Sequence, residues 1–193
     1  MRRTRVTVAV AGVAVGALLV TALSGCGGSG SGRAFGPFAW LKPETPPTGW
    51  RVARIQGGAM LAYPPGWTRI KTDPGTISAA LLGAGQRIDG YLNATPKQGA
   101  ETLADWSRFR PRHNQGQGDR GVRVLAATTA RRFRSGRGAC VIDTYTTPKA
   151  AYREIACLVS GSSSSTVVVA AAPVALWARQ AAMLERAVSS FVG

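Results

Sequence analysis

The sequence has few of the residues that build metal and redox sites. It contains one histidine, His113, and three cysteines, Cys26, Cys140 and Cys157, with no Cys-x-x-Cys pair. Zinc sites need clustered cysteine and histidine ligands, and thioredoxin-like redox sites need two cysteines separated by two residues. The composition therefore excludes both kinds of site, and we expect neither a metal nor another cofactor.

Acidic residues are also scarce. The chain has nine Asp and Glu residues and 24 Lys and Arg residues, which gives a formal net charge of +15. Such an excess is typical of proteins that bind nucleic acid, anionic membrane surfaces or acidic wall polymers. However, 20 of the 24 basic residues are arginine, and an arginine-rich composition of this kind is also what a GC-rich genome produces.

The one long apolar run lies at the N-terminus. It spans residues 6–23, follows Arg2, Arg3 and Arg5, and is interrupted by glycine and threonine. A retained membrane anchor would need about 20 consecutive apolar residues. The basic start, the interrupted run and the small residues that follow are instead typical of a secretory signal peptide.

This run ends in Leu23-Ser24-Gly25-Cys26, which resembles the lipobox of bacterial lipoproteins. The resemblance implies cleavage after Gly25 and transfer of a diacylglycerol to the sulfur of Cys26, which becomes the mature N-terminus. Two acyl chains suffice for stable anchoring, because each buried CH₂ contributes about 0.8 kcal/mol. We therefore expect a signal peptide over residues 1–25 and a lipid-anchored protein on the extracytoplasmic side of the cell membrane, where it meets no nucleic acid.

Composition divides the rest of the chain in two. Residues 26–49 are rich in Gly and Ser and then in Pro, which predicts a tether that is flexible at first and stiffer later. The length of residues 50–193 is suited to a single globular domain.

The apolar spacing in this domain predicts an α+β fold. Short strands are expected on either side of Gly57-Gly58 and through Trp67, followed by a hairpin of residues 77–82 and 88–95. Helical spacing around Trp106 predicts a helix that Pro111 ends or kinks near Arg110.

The C-terminal half predicts an antiparallel meander and a last helix. Four strand-like stretches follow one another across residues 121–172 with short links between them. From Pro173 the spacing becomes helical again, and Leu184, Val188 and Phe191 form an apolar stripe that we expect to pack on the sheet.

Cys140 and Cys157 are an even pair in a chain that we expect to be exported, so they should form a disulfide. They lie at equal distances from the turn at Pro148-Lys149. A symmetric hairpin would therefore place them directly opposite each other on neighbouring strands, with Cα atoms about 4.5 Å apart. We predict a structural disulfide.

Two motifs of the domain resemble a known family. The "AYPPGW" stretch of residues 62–67 and the "LERAVSSF" stretch of residues 184–191 are similar to PsbP-like domains, which include many secreted actinobacterial lipoproteins. The segment "GYLNATPKQGAETLADWSRFRPRHN" resembles such a lipoprotein group. The resemblance implies an α/β/α sandwich around a central antiparallel sheet, and it implies no catalytic residues.

The best candidate for a binding site is the junction between the hairpin and the first helix. Asn93, Thr95 and Gln98 are gathered there beside Trp106, and loops held by a rigid scaffold often carry function. The alternative is that these residues only cap the helix.

His113 is the only imidazole and so the only candidate for histidine-based catalysis. A hydrolase would need it beside a nucleophile and an orienting acid. Ser107 and Asp105 are near in sequence, but no Gly-x-Ser-x-Gly elbow is present. We interpret His113 as a surface residue after the helix, next to the candidate binding region, and predict that the chain is not an enzyme.

Arginines are concentrated just beyond this junction, with Asp119 the only acid among them. They could hold an acidic partner or anionic headgroups, or form a solvated face that reflects composition alone. The nine are Arg108, Arg110, Arg112, Arg120, Arg123, Arg131, Arg132, Arg134 and Arg137.

Together these features predict a membrane-anchored extracytoplasmic lipoprotein that acts as a non-enzymatic binding or accessory module for a protein or an anionic cell-envelope polymer. One alternative is a hydrolase that acts on the envelope through His113. Another is a basic module that docks on anionic lipid, to which each basic residue near the surface would contribute about 1 kcal/mol.

Overall fold

The computed structural model describes residues 36–55, 57–162 and 164–193; the predicted signal peptide and Cys26 lie outside these ranges. Within them, no helix has both the length and the apolar character needed to cross a membrane. The elements are β1 (Arg51–Arg54), β2 (Met60–Tyr63), β3 (Thr68–Ile70), β4 (Ile77–Leu82), β5 (Ile88–Pro96), α1 (Trp106–Gly116), β6 (Arg120–Phe133), β7 (Gly136–Thr146), β8 (Ala151–Ser160), β9 (Ser165–Pro173) and α2 (Trp177–Ser189).

The main sheet has seven antiparallel strands in the order β3-β4-β5-β9-β8-β7-β6, and β1 pairs with β2 in a separate hairpin. The predicted meander is confirmed, because β6 to β9 are neighbours in chain order. The predicted hairpin of β4 and β5 is also confirmed, and it joins the meander through the pairing of β5 with β9.

Helix α2 covers one face of this sheet. Leu184 and Val188 of α2 and Phe191, which follows the helix, are fully buried, as predicted. They pack in one core with alternate residues of the central strands, such as Ile155 and Val168. The period of two along a strand and of about 3.6 along the helix brings both apolar sets to the same interface.

Helix α1 lies on the opposite face, where it packs on β6, β7 and β8. Trp106 is buried there against a second core that includes Val141, Ala156 and Leu158. The sheet is therefore covered by one helix on each side, which confirms the predicted α+β sandwich.

Cys140 and Cys157 form a disulfide and are direct partners in the β7–β8 register, with Cα atoms 4.1 Å apart. This confirms the prediction from the symmetry of the hairpin. Both residues are fully buried in the core beneath α2.

The first helix differs from the prediction. Helix α1 begins at Trp106 and continues through Pro111 to Gly116, so His113 lies within it and not after it. A proline inside a helix costs about 3 kcal/mol. Here Trp106 and Asn114 are buried on either side of Pro111, and these tertiary contacts keep both turns helical.

The domain also begins earlier than predicted. Phe38 and Leu41 are 2% and 5% exposed and belong to the core beneath α2. The backbone N–H of Glu44 donates a hydrogen bond to the carbonyl oxygen of Ser189 at 3.1 Å. The predicted boundary at residue 50 is therefore placed too late, because two large apolar side chains of the expected tether pack into the core.

Replacing both Cys140 and Cys157 with alanine should lower the free energy of unfolding by about 3 kcal/mol, because the unfolded chain is no longer restricted by a cross-link. Urea unfolding of the variant and of the oxidised protein measures the difference. An unchanged unfolding midpoint would contradict the prediction.

Candidate functional site

A cleft of about 500 Å³ opens between α1 and the part of the sheet formed by β5 and β9. The predicted junction residues Asn93, Thr95, Gln98 and Trp106 all line it. Arg110 of the predicted arginine cluster and His113, which was predicted to lie on the surface after the helix, line it too. The structure thus brings six of the predicted binding residues into one site.

Hydrogen bonds fix the β5 side of this cleft. The Asn93 side chain donates to Ser78 Oγ at 2.9 Å and to the carbonyl oxygen of Ile77 at 3.3 Å. Thr95 Oγ1 donates to Asn93 Oδ1 at 2.8 Å, and Ser78 Oγ lies 3.1 Å from the hydroxyl of Tyr91. These neighbouring strands therefore present a preorganised polar wall.

A reciprocal pair of hydrogen bonds closes the turn of residues 102–105, just before α1 begins at Trp106. The backbone N–H of Thr102 donates to Asp105 Oδ1 at 2.7 Å, and the N–H of Asp105 donates to Thr102 Oγ1 at 3.3 Å. This reciprocal pair is a capping box. The bond from the Thr102 backbone holds the pKa of Asp105 below its usual value. The bonds are made by Thr102 and Asp105, so the predicted residues Asn93, Thr95 and Gln98 do not cap the helix.

Glu101, just before the capping box, is the least satisfied polar group of the cleft. It is 4% exposed, and its Oε1 accepts a hydrogen bond from the backbone N–H of Gln98 at 3.3 Å. Its Oε2 is buried without a hydrogen-bond partner in the described part of the chain. Gly99 lies so close that a Cβ there would be 2.6 Å from this oxygen.

Three rings along α1 form the helix side of the cleft. Trp106 stacks on Phe109, and Phe109 stacks on His113, with centroids 5.8 and 5.9 Å apart. The indole N–H of Trp106 donates to the carbonyl oxygen of Ala156 at 2.9 Å and so ties α1 to β8. Burial and then the charge of Arg110 lower the pKa of His113. This shift favours the neutral form of the imidazole.

The floor of the cleft holds a buried ion pair that sequence reasoning missed. Arg110 binds Glu154 of β8 through two hydrogen bonds of 2.7 and 2.8 Å, and the hydroxyl of Tyr145 donates to the same carboxylate at 3.3 Å. Glu154 is 1% exposed. Arg110 thus neutralises a carboxylate inside the fold and is not part of a basic surface.

A second buried acid lies beside this pair. Asp143 is directly opposite Glu154 in the β7–β8 register and is fully buried. Its Oδ2 accepts a weak 3.4 Å hydrogen bond from Asn114, and Oδ1 has no partner in the described residues. Burial, followed by the negative charge of Glu154, raises the pKa of Asp143 to about 7.

The structure separates the remaining predicted arginines. Arg108 and Arg112 line a shallow depression on the outer side of α1. Arg131 and Arg132 lie on β6, and Arg134 follows in the turn to β7. The guanidinium of Arg131 lies 5.9 Å from the centre of the Phe38 ring. These five arginines do not line the cleft.

Comparison with known proteins defines the fold. No family model and no curated protein sequence matches the chain. Its structure is similar to the solution structure of cyanobacterial PsbP from Synechocystis sp. PCC 6803, with a TM-score of 0.54 and 17% identity over 88% of this chain and 97% of that chain. The chain has a PsbP-like fold. It is also similar to PA94, a protein of unknown function from Pseudomonas aeruginosa, with a TM-score of 0.50 and 12% identity over 75% of this chain and 96% of that chain.

In this PsbP-like fold, Arg110→Met should lower the free energy of unfolding by about 3–5 kcal/mol, because it leaves Glu154 buried without its cation. The double variant Arg110→Met with Glu154→Gln should recover most of that loss. Arg87→Met is the matched control: Arg87 is exposed in its ion pair with Asp89, so its replacement should cost much less than that of Arg110. Equal losses in Arg110→Met and Arg87→Met, measured by urea unfolding, would contradict the assignment.

Asp143 should make the protein less stable as pH rises from about 4 to 7. The folded state keeps the Asp143 proton to higher pH than the unfolded state, so the unfolded state gains relative stability across this interval. Asp143→Asn should therefore match the unmodified protein at pH 4 and exceed its stability at pH 8 by about 4 kcal/mol. Urea unfolding at several pH values tests this, with the exposed Asp73→Asn as control; parallel profiles for Asp143→Asn and the unmodified protein would refute it.

Proposed function

We propose that this protein is a lipid-anchored extracytoplasmic accessory module without enzymatic activity, which binds a protein or cell-envelope component in the cleft beside α1. The main support for this proposal is the structure of the cleft. It combines a fixed polar wall on β5, a stacked aromatic wall on α1 and a buried polar floor. Pockets that join apolar or aromatic surface to a few well-placed polar groups are typical of ligand sites.

The chemistry of the cleft favours binding over hydrolysis. His113 and Ser107 are six positions apart on α1, which at 100° per residue turns their side chains to different sides of the helix. The Glu154 carboxylate is already occupied by Arg110 and Tyr145. Ser107, the nucleophile nearest to His113 in sequence, is therefore turned away from the imidazole, which supports binding rather than hydrolysis.

The sequence supports the anchored location. Cys26 ends a lipobox-like motif, and a buried disulfide is typical of proteins that fold outside the cytoplasm. The described domain begins at Gly36, ten residues after Cys26. Ten residues span at most about 35 Å, so an acylated Cys26 would keep the domain close to the bilayer.

A photo-crosslinking residue at Gln98, which is exposed at the cleft, should capture a specific component on intact cells. The matched control is the same residue at Arg179, which is exposed on α2 across the sheet. We expect adducts at position 98 and none at 179, identified by mass spectrometry. The same adducts at both positions, or none at 98, would argue against the cleft as the binding site.

The anchor is tested in the same cells. In Cys26→Ser the protein should leave the membrane fraction, and the adducts at position 98 should fall because the domain is no longer held near its partner. A chain that stays in the membrane fraction without Cys26 would contradict the lipid anchor while leaving the cleft assignment intact.

A further inference from the structure

Strand β6 forms one edge of the seven-stranded sheet. It is the longest strand of the described residues, with 14 residues from Arg120 to Phe133, and among these residues β7 is the one strand that pairs with it. Its middle is open to solvent: Val124 and Leu125 are 41% and 40% exposed. The register with β7 is regular from Ala126 to Thr128 and shifts on either side of these residues. An exposed edge is a template for another strand where its outer N–H and C=O groups are unpaired, so the usable part of this edge is centred on Ala127.

The register shows which backbone groups face outward. In antiparallel pairs, Cα atoms are about 4.5 Å apart where the two residues share no hydrogen bonds and about 5.5 Å apart where they do. The Cys140–Cys157 distance of 4.1 Å places this pair in the first class, so the N–H and C=O of Cys140 point away from β8 and toward β6. Thr128 is the β6 partner of Cys140. The N–H and C=O of the preceding residue, Ala127, therefore point away from β7.

The open edge has a neutral centre between two basic ends. Residues 124–130, Val-Leu-Ala-Ala-Thr-Thr-Ala, carry no charge. Arg120 and Arg123 precede them, and Arg131, Arg132 and Arg134 follow. There is no acidic residue from position 120 to position 142.

These arginines have no acidic partners within the domain. The ion pairs of the described residues involve Arg87, Arg110 and Arg186, and none involves an arginine of β6. Arg132 is directly opposite Arg137 in the β6–β7 register, an arrangement of like charges that destabilises a sheet. The buried Nε of Arg131 has no hydrogen-bond partner in the described part of the chain. The strand therefore carries positive charge that the domain itself leaves uncompensated.

We propose that the edge of β6 is a docking site for an extended acidic segment of a partner protein, which adds to the sheet as an eighth strand. The main-chain groups around Ala127 supply the hydrogen bonds of the added strand, as in other cases of strand addition. The flanking arginines pair with acidic residues at both ends of the segment, which fixes its register and speeds association.

A second copy of this chain fits the edge poorly. Antiparallel pairing of two β6 strands about Ala127 would bring the basic end of one copy, with Arg120 and Arg123, next to the basic end of the other, with Arg131 and Arg132. Like charges directly opposite each other are destabilising. The same arginines that favour an acidic segment therefore oppose self-association.

The test uses the purified full chain in detergent micelles and a fluorescein-labelled peptide, Glu₃-Thr-Val-Thr-Val-Thr-Glu₃. Fluorescence anisotropy should show binding that weakens as salt is added, since screening reduces the charge attraction. A peptide with lysine in place of each glutamate should not bind. Hydrogen exchange of the Ala127 amide should slow when the acidic peptide is present.

Ala127→Pro separates strand addition from charge attraction alone. It removes an outward N–H and leaves the bonds to β7 in place, which edge strands tolerate, and it should weaken peptide binding at least tenfold. Ala127→Val is the matched control, because it keeps the N–H and should bind normally. A circular dichroism spectrum and a thermal midpoint close to those of the unmodified protein show that Ala127→Pro is folded.

Three results would overturn the proposal. The first is an absence of binding by the unmodified chain, which would mean that the arginines only protect the edge from other strands. The second is equal binding by a folded Ala127→Pro, which would mean attraction by surface charge without strand addition. The third is a dimer formed through β6 in the absence of peptide. None of these results bears on the cleft beside α1, which the crosslinks at Gln98 test separately.

Discussion

The register between β7 and β8 is the constraint on which the rest of the site depends. One turn joins the two strands, and the disulfide fixes Cys140 opposite Cys157. Because side chains alternate between the faces of a strand, this pair also determines which residues of β7 and β8 lie opposite each other and which face of the sheet each occupies. A shift by one residue would exchange the two faces and move the apolar core residues into the cleft.

This register places two acids on the face covered by α1. Asp143 and Glu154 are direct partners, and Tyr145 and Tyr152 follow two positions later with their rings stacked. Two carboxylates buried side by side repel each other, and each loses its hydration. Arg110 neutralises Glu154. Asp143 has no such cation, and its raised pKa favours the protonated form. The position of α1 is thus tied to the charges of the sheet beneath it as well as to its apolar contacts.

The dependence of α1 on distant contacts with the sheet explains why the sequence predicted much of the fold and less of the site. Strands β4 to β9, helix α2 and the disulfide follow from local periodicity and from the symmetry of one turn, and each was confirmed. The bounds of α1 were wrong because they depend on distant contacts: Trp106 bonds to Ala156, and Arg110 bonds to Glu154. The rule that proline ends helices describes isolated helices, and tertiary contacts outweighed it here.

The buried acids could have been found from the sequence. Asp143 and Glu154 are centred on the same turn as the two cysteines, so the reasoning that paired the cysteines also pairs the acids. On the face that α1 covers, these acids neighbour apolar residues such as Val141 and Ala156, while Arg153 lies over the Trp177 ring of α2, so the compensating cation must come from another element. Which of the nine clustered arginines supplies it could not be predicted, because α1 is placed by packing that no local pattern encodes.

The charge distribution of the domain has two different origins. Arg110 is compensated inside the fold, where removing its partner would leave a desolvated charge. The arginines of β6 are held at a sheet edge with water on one side, where a lone cation costs little and remains available to an acid from another molecule. A basic stretch that looks uniform in sequence is therefore divided by the fold into a structural cation beneath α1 and surface arginines on α1 and β6, and only the surface arginines can contribute to recognition through charge.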